Sequence, residues 1–137
     1  MAKVNLVDKK VAMTLEEVIK YQIITYCFTK NITISDAELE CVSLLALVKK
    51  SDLSNFCNAC CEPENKEKDT TLPFSKVIFK SPQTVRNCLT KMANYNIVVK
   101  KGFGHSKTIE VNPDLQIQTE GNILLNYKFI YIDTQKS

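Results

Sequence analysis

Apolar positions along the chain follow a helical period first and a strand period last. Leu15, Val18, Ile19, Ile23, Tyr26 and Cys27 recur at helical spacing and predict a helix running to about Thr29. Thr14 with Glu17 three residues on is a capping box at its start. Ser35 and Glu38 repeat that signature. The segment behind them carries Leu39, Val42, Leu44, Leu45, Leu47 and Val48, apolar nearly all round, which predicts a central, buried helix. Ser51 is expected to cap a short third helix through about Ala59, carrying Leu53 and Phe56. Ser81 followed by Pro82 reads as an N-cap with proline at the first helical position. Val85, Cys88, Leu89 and Met92 then continue a fourth helix to about Tyr95.

The period of two appears at both ends. Ala2 to Val7 alternates, with Val4 and Leu6 on one face, and reads as a short strand or arm. Ile97 to Lys100 reads as a strand, "KGFGHS" as a hairpin turn with glycine free to take positive φ, and Lys107 to Val111 as the return strand. Asn122 to Ile132 is the strongest strand signal, rich in aromatic and β-branched residues. "CEPENKEKDTT" is a solvated, charged loop. Leu72 to Lys80 is an extended lead-in or one helical turn plus a strand.

These elements predict one α+β, winged-helix-like domain over residues 1–137, with three to four helices and a C-terminal β-hairpin or three-stranded sheet. Its parts are an N-terminal strand or arm (1–13), a helical part (14–60), the charged loop (61–71), and a recognition-type helix, wing and closing strand (72–137). A length of 137 residues fits a single domain, and 45% hydrophobic with 24% charged residues fits an ordered one. No apolar run reaches the roughly 18 residues of a membrane span, and MAKVNLVDKK has no secretory h-region. The expected location is therefore the cytoplasm, or a particle assembled there.

Catalysis has little to stand on. The one histidine, His105, lies in the glycine turn, and no thiol has a local histidine partner. Glu16 and Glu17 open a helix, where negative charge suits the dipole. "GFG" is not followed by a helix and so is no phosphate cradle. Cys57, Cys60 and Cys61 in "CNACC" offer half of a zinc site without a second half. Cys27, Cys41 and Cys88 fall among apolar helical residues and are expected to pack as small hydrophobes. No enzyme activity, cofactor, metal or small-molecule substrate is expected.

Charge is more informative. Between Thr70 and Ile109 there is no Asp or Glu, while Lys76, Lys80, Arg86, Lys91, Lys100, Lys101 and Lys107 give +7. That leaves 11 basic against 15 acidic residues in the rest of the chain. The surplus falls on the fourth helix and the hairpin, where a winged helix meets phosphates. Gln83, Thr84, Arg86 and Asn87 in the first turns of that helix are candidates to face bases, phosphates or a protein partner. Arg86 is the only arginine, and the arginine fork is the commonest specific guanine contact, so base reading is weakly provided. The last strand places Leu125, Tyr127, Phe129 and Tyr131 at alternate positions, a candidate docking strand for a neighbour.

"SPQTVRNCLTKMANYNIVVKKG", "KTIEVNPDL" and "TEGNILLNYKFIYID" resemble small proteins of crAss-like and related tailed phages of gut Bacteroidota. The likeness spans about residues 14–133: an N-terminal pair of helices, a strand ending in Lys-Lys, an Asn-Pro-x-Leu turn and a closing apolar strand. The "CNACC" run and the charged loop depart from it. The resemblance implies a winged-helix-like phage protein of the virion-associated set. The expectation is a non-enzymatic structural or assembly component of the head–tail connector or tail. It would be present in several copies, docking on other virion proteins through its basic helix–wing face and closing strand. The alternative is a cytoplasmic winged-helix DNA-binding protein of replication or transcription.

Overall fold

The computed structural model describes residues 3–12, 14–65, 76–103, 107–120 and 124–133, the first and last of these by their backbone. Helix α1 (Leu15–Thr29) starts at Thr14, whose hydroxyl accepts from the Glu17 amide at 3.2 Å. Glu17 reaches back to the Thr14 hydroxyl (2.9 Å), not to its amide, so only half of the expected capping box forms. In α2 (Asp36–Val48) the box is complete. The Ser35 hydroxyl accepts from the Glu38 amide, and the Glu38 carboxylate accepts from the Ser35 amide at 2.8 Å. This helix is buried without interruption from Cys41 to Ala46, the central helix that its composition predicts.

A three-residue strand, β2 (Lys50–Asp52), follows and leads directly into α3 (Leu53–Ala59). The cap of α3 is Asp52, accepting from the Asn55 amide at 3.0 Å, and not Ser51 as the sequence suggests. Ser51 is drawn into the sheet, buried opposite Ile109, and its hydroxyl donates to the Asp52 carbonyl. A carboxylate is also the better acceptor at a helix N-terminus. After α3, residues 76–79 run alongside its C-terminal end, where the Lys76 amide donates to the Ala59 carbonyl. The Ile78 and Phe79 amides both donate to the Cys60 carbonyl, and Phe79 bridges to Cys61. Helix α4 (Pro82–Asn94) then starts at Ser81 with Pro82 in its first turn, as expected.

Helices α1 and α4 end alike. Asn31 (φ 57°) and Asn96 (φ 61°) take the left-handed conformation, and the isoleucine after each donates back into the last turn. Ile32 reaches the Cys27 carbonyl at 2.8 Å and Ile97 the Met92 carbonyl at 3.0 Å. The second of these turns aims the chain into β3 (Val98–Lys101). That strand pairs antiparallel with β4 (Thr108–Val111), Lys101 lying opposite Thr108.

The three-stranded sheet has the order β2-β4-β3. Its third strand is thus Lys50–Asp52 and not the closing strand, which corrects the expected arrangement. The closing strand β5 (Leu124–Asp133) instead pairs antiparallel with β1 (Lys3–Ala12) in a two-stranded ribbon, from Lys3 opposite Asp133 to Ala12 opposite Leu124. The N-terminal strand extends past the expected Val7 because β5 offers ten consecutive residues to pair with. Among the described residues the fold is α+β, with four α-helices and this small antiparallel sheet. Its core joins Ile19 and Ile23 of α1, Val42 and Leu45 of α2, Phe56 of α3, and Val85, Leu89 and Met92 of α4 against Ile97 and Ile109.

Candidate functional site

The stripe Val85, Cys88, Leu89 and Met92 turns inward and fixes α4 against the core, which leaves Gln83, Thr84, Asn87, Thr90 and Lys91 exposed. Arg86 is half-buried. The Gln83 amide donates to the Asn87 side-chain oxygen at 3.0 Å, and the Ser81 and Thr84 hydroxyls share a hydrogen bond of 3.0 Å. Lys100 of β3 donates to Thr90 of α4 at 2.8 Å, joining helix and hairpin into one polar face. Partial burial, and then the nearby charge of Lys107, pull the Lys100 ammonium below its ordinary value. At the hairpin end Gly102 has φ 95°, and Phe103 is 93% exposed, so an aromatic ring projects beside Lys101. His105 lies outside the described residues.

The basic surplus does not stay together. Lys76 leaves this face and pairs with Glu40 (2.6 Å) and Glu16 (3.5 Å), in a network that also holds Lys20. Lys20, and then Lys76, hold the Glu40 carboxyl below the usual range. Lys91 pairs with Glu38 at 2.9 Å, and Lys101 with Glu110 at 3.3 Å. Lys80, Lys100 and Lys107 form no ion pair among the described residues. The neutralising acids Glu16, Glu38 and Glu40 come from α1 and α2, far away in sequence. Only Glu110, one residue beyond the acid-free window, was within reach of a local reading.

The register of the ribbon sets Leu125, Tyr127, Phe129 and Tyr131 opposite Val11, Lys9, Val7 and Asn5. Among the described residues no strand pairs with the other edge of β5. A further exposed group lies on α1, where Tyr21, Ile24 and Phe28 face outward at 50%, 46% and 84% exposure. Sequence reasoning missed it, although these residues form a second apolar line beside the inward stripe of the same helix.

All six cysteines are buried. Hydrogen bonding to the Cys60 and Cys88 thiols, and burial, push Cys41 well up. Cys27, Cys41, Cys57, Cys60 and Cys88 pack as core groups. Among the described residues no group of three or more His, Cys, Asp or Glu side chains could hold a metal ion. No helix among them is long and apolar enough to cross a membrane. Two cavities among the described residues are open to solvent. One, of about 180 Å³, is lined by Ala46, Lys49, Val111, Asn112, Pro113, Gln116, Ile117 and Thr119. The other, of about 240 Å³, lies beside the exposed residues of α1. Neither gathers the paired titratable groups that acid–base chemistry needs. Compared with known proteins, the chain matches no family model, no curated protein and no solved structure.

Proposed function

We propose that the chain is a non-enzymatic assembly component of a phage particle, in the head–tail connector or tail, which docks on other virion proteins. The observation that carries the docking reading is the fate of the basic side chains. Three of the seven, Lys76, Lys91 and Lys101, are neutralised by acids of the chain itself. What remains on α4 and the hairpin is a mixed face of amides, hydroxyls, a few lysines and one projecting aromatic ring, as suits a protein partner. The edge of β5 that no described strand pairs with offers a second docking element through strand addition. The attribution to a phage particle rests on the resemblance of residues 81–102, 107–115 and 119–133 to small crAss-like phage proteins. The test is mass spectrometry of purified particles. The protein is expected at fixed copy number, and its absence from them would refute the reading.

A second reading is favoured by one specific observation, the order of elements from α2 onward. Helix, strand, two helices and a hairpin, with sheet order β2-β4-β3, support a winged-helix reading. In that fold α4 would enter the major groove and the β3–β4 hairpin would be the wing. The chain would then be a winged-helix DNA-binding protein of replication or transcription. Fluorescence anisotropy with duplex DNA separates the two. A DNA-binding protein holds DNA at physiological salt and loses it steeply as salt rises. An assembly protein stays weak even at low salt.

A further inference from the structure

We infer that Cys41 and Cys88 are a modification site, a dithiol that peroxide converts to a disulfide fastening α4 to α2. The two helices meet beside this pair. Glu38 of α2 and Lys91 of α4 lie 2.9 Å apart. Cys41 follows Glu38 by three residues, and Cys88 precedes Lys91 by three. Residues three apart share one face of a helix. On those faces the Cys41 and Cys88 thiols are in hydrogen-bonding contact. Cys60, at the end of α3, also hydrogen-bonds the Cys41 thiol, and all three belong to one core. A single buried thiol in apolar surroundings is an inert small hydrophobe. Two sulfurs in contact differ, since a small side-chain movement brings them to the ~2.05 Å of a disulfide.

The pair divides into an attacking and a resolving thiol. Cys88 is the nearest of the three to solvent, 6% exposed against 0% for Cys41 and Cys60. The hydrogen bond from Cys41 holds the Cys88 thiol below its ordinary value, against the opposing effect of burial. Cys41 itself is pushed well up and keeps its proton. Cys88 thus supplies the thiolate, which is the nucleophile. Its sulfur attacks one oxygen of hydrogen peroxide and the O–O bond breaks. Hydroxide leaves and takes up the proton that Cys88 released, giving water and a sulfenic acid on Cys88. The Cys41 sulfur then attacks the Cys88 sulfur, the S–O bond breaks, and a second water leaves with the Cys41 proton. Two thiols are oxidised to one disulfide while one peroxide is reduced to two waters. Cys27 and Cys61 are placed differently. Burial raises the Cys27 thiol, and the Cys61 thiol donates to the Asn58 carbonyl at 3.4 Å. The link holds the helix that carries Gln83, Thr84 and Asn87 to the central helix of the core, whether that face meets protein or DNA.

The test treats the folded native chain with a few equivalents of hydrogen peroxide. Residual thiols are then blocked in denaturant, and peptides are mapped without reduction by mass spectrometry. The expected product has lost two hydrogens and counts four thiols in place of six. One link joins the peptides of Cys41 and Cys88, and dithiothreitol restores the starting mass. Cys60→Ala should still form this link. Cys41→Ala should stop at a sulfenic acid on Cys88, which dimedone traps, and Cys88→Ala should form neither product. A folded native chain that keeps all six thiols, under peroxide sufficient to oxidise it in denaturant, overturns the inference. So does a link between any other two cysteines, or between two chains. The map of the native chain decides the matter even where a variant fails to fold.

Discussion

Glu38 ties two helices together, and replacing it with glutamine isolates its charge. One carboxylate oxygen accepts from the Ser35 amide at 2.8 Å, and the other lies 2.9 Å from the Lys91 ammonium. The side chain is only 12% exposed. Glutamine keeps the shape and one acceptor but loses the charge that favours a helix N-terminus. A charged, buried acceptor at a cap contributes about 1 kcal/mol more than a neutral one. Lys91 is half-exposed, so its side of the pair is screened by solvent and adds little. The melting temperature should fall by roughly 3–6 °C. The pH dependence has a definite sign. Burial raises the Glu38 carboxyl, but the Ser35 amide, Lys91 and the Ser35 hydroxyl outweigh it and hold it below the ordinary 4.5. A lowered folded value means that the stabilisation is complete above the ordinary value and disappears as pH falls through the folded one. Urea melts of the native chain and Glu38→Gln should therefore differ at pH 7 and converge in acid. A difference that stays constant down to pH 3 would refute the role given to the charge.

Three further substitutions probe the frame. Leu89→Ala empties a fully buried position between α4 and the core and should cost about 2–5 kcal/mol in urea melts; a loss below about 1 kcal/mol would mean the helix is not packed as described. Asn96 closes α4 at φ 61°, so Asn96→Gly should leave stability unchanged or slightly higher, while Asn96→Val should cost about 1–2 kcal/mol; equal melts for the two would exclude the left-handed turn. Lys49 sits at φ 75° and ψ −64° between α2 and β2, a strained region for any residue with a Cβ. Lys49→Gly should stabilise by about 1 kcal/mol, since the exposed pair with Glu120 that it removes contributes little; a lower melting temperature would count against the strain.

The parts of the fold that were legible in the sequence are those with repeated signals. Ser35 with Glu38, Ser81 with Pro82, and the apolar stripes of α1 and α4 each combine a cap with several periodic residues, and the helices start and stop where these place them. Lys50–Asp52 was not legible. Three polar residues have no periodicity, and they become a strand only because β4 presents an open edge to them. The same tertiary pairing took Ser51 out of its capping role and passed it to Asp52. The closing strand was legible as a strand but not in its partner. Strand propensity says that a segment will pair, whereas the choice between β1 and the hairpin depends on register and loop closure far apart in sequence. On the candidate face, Gln83, Thr84, Asn87 and Lys91 are exposed, while Arg86 and Lys100 are partly buried. The sequence reading misjudged the charge because it summed neighbours in sequence, while Coulomb attraction acts between neighbours in space.

That difference is measurable. Each phosphate contact by a basic side chain steepens the fall of log K with log salt by about 0.9. If all seven basic residues of the acid-free window met DNA, the slope would be about −6. Lys76, Lys91 and Lys101 are held by acids, and Arg86 and Lys100 are partly buried, which leaves Lys80 and Lys107 to meet phosphate. The slope should then be about −2, on a weak affinity. The acids that restrain the remaining lysines can be neutralised without touching α4 or its lysines. In Glu40→Gln with Glu110→Gln, Lys76 loses its shorter partner and Lys101 its only one among the described residues. Anisotropy titrations on duplex DNA at several salt concentrations should then give tighter binding and a slope steeper by up to about 2. If the native chain already shows a slope near −6, the ion pairs do not restrain the lysines, and the DNA-binding reading displaces the docking one. If the double variant leaves both affinity and slope unchanged, Lys76 and Lys101 are not held away from phosphate by their acids, and the face owes its weakness to shape instead of charge.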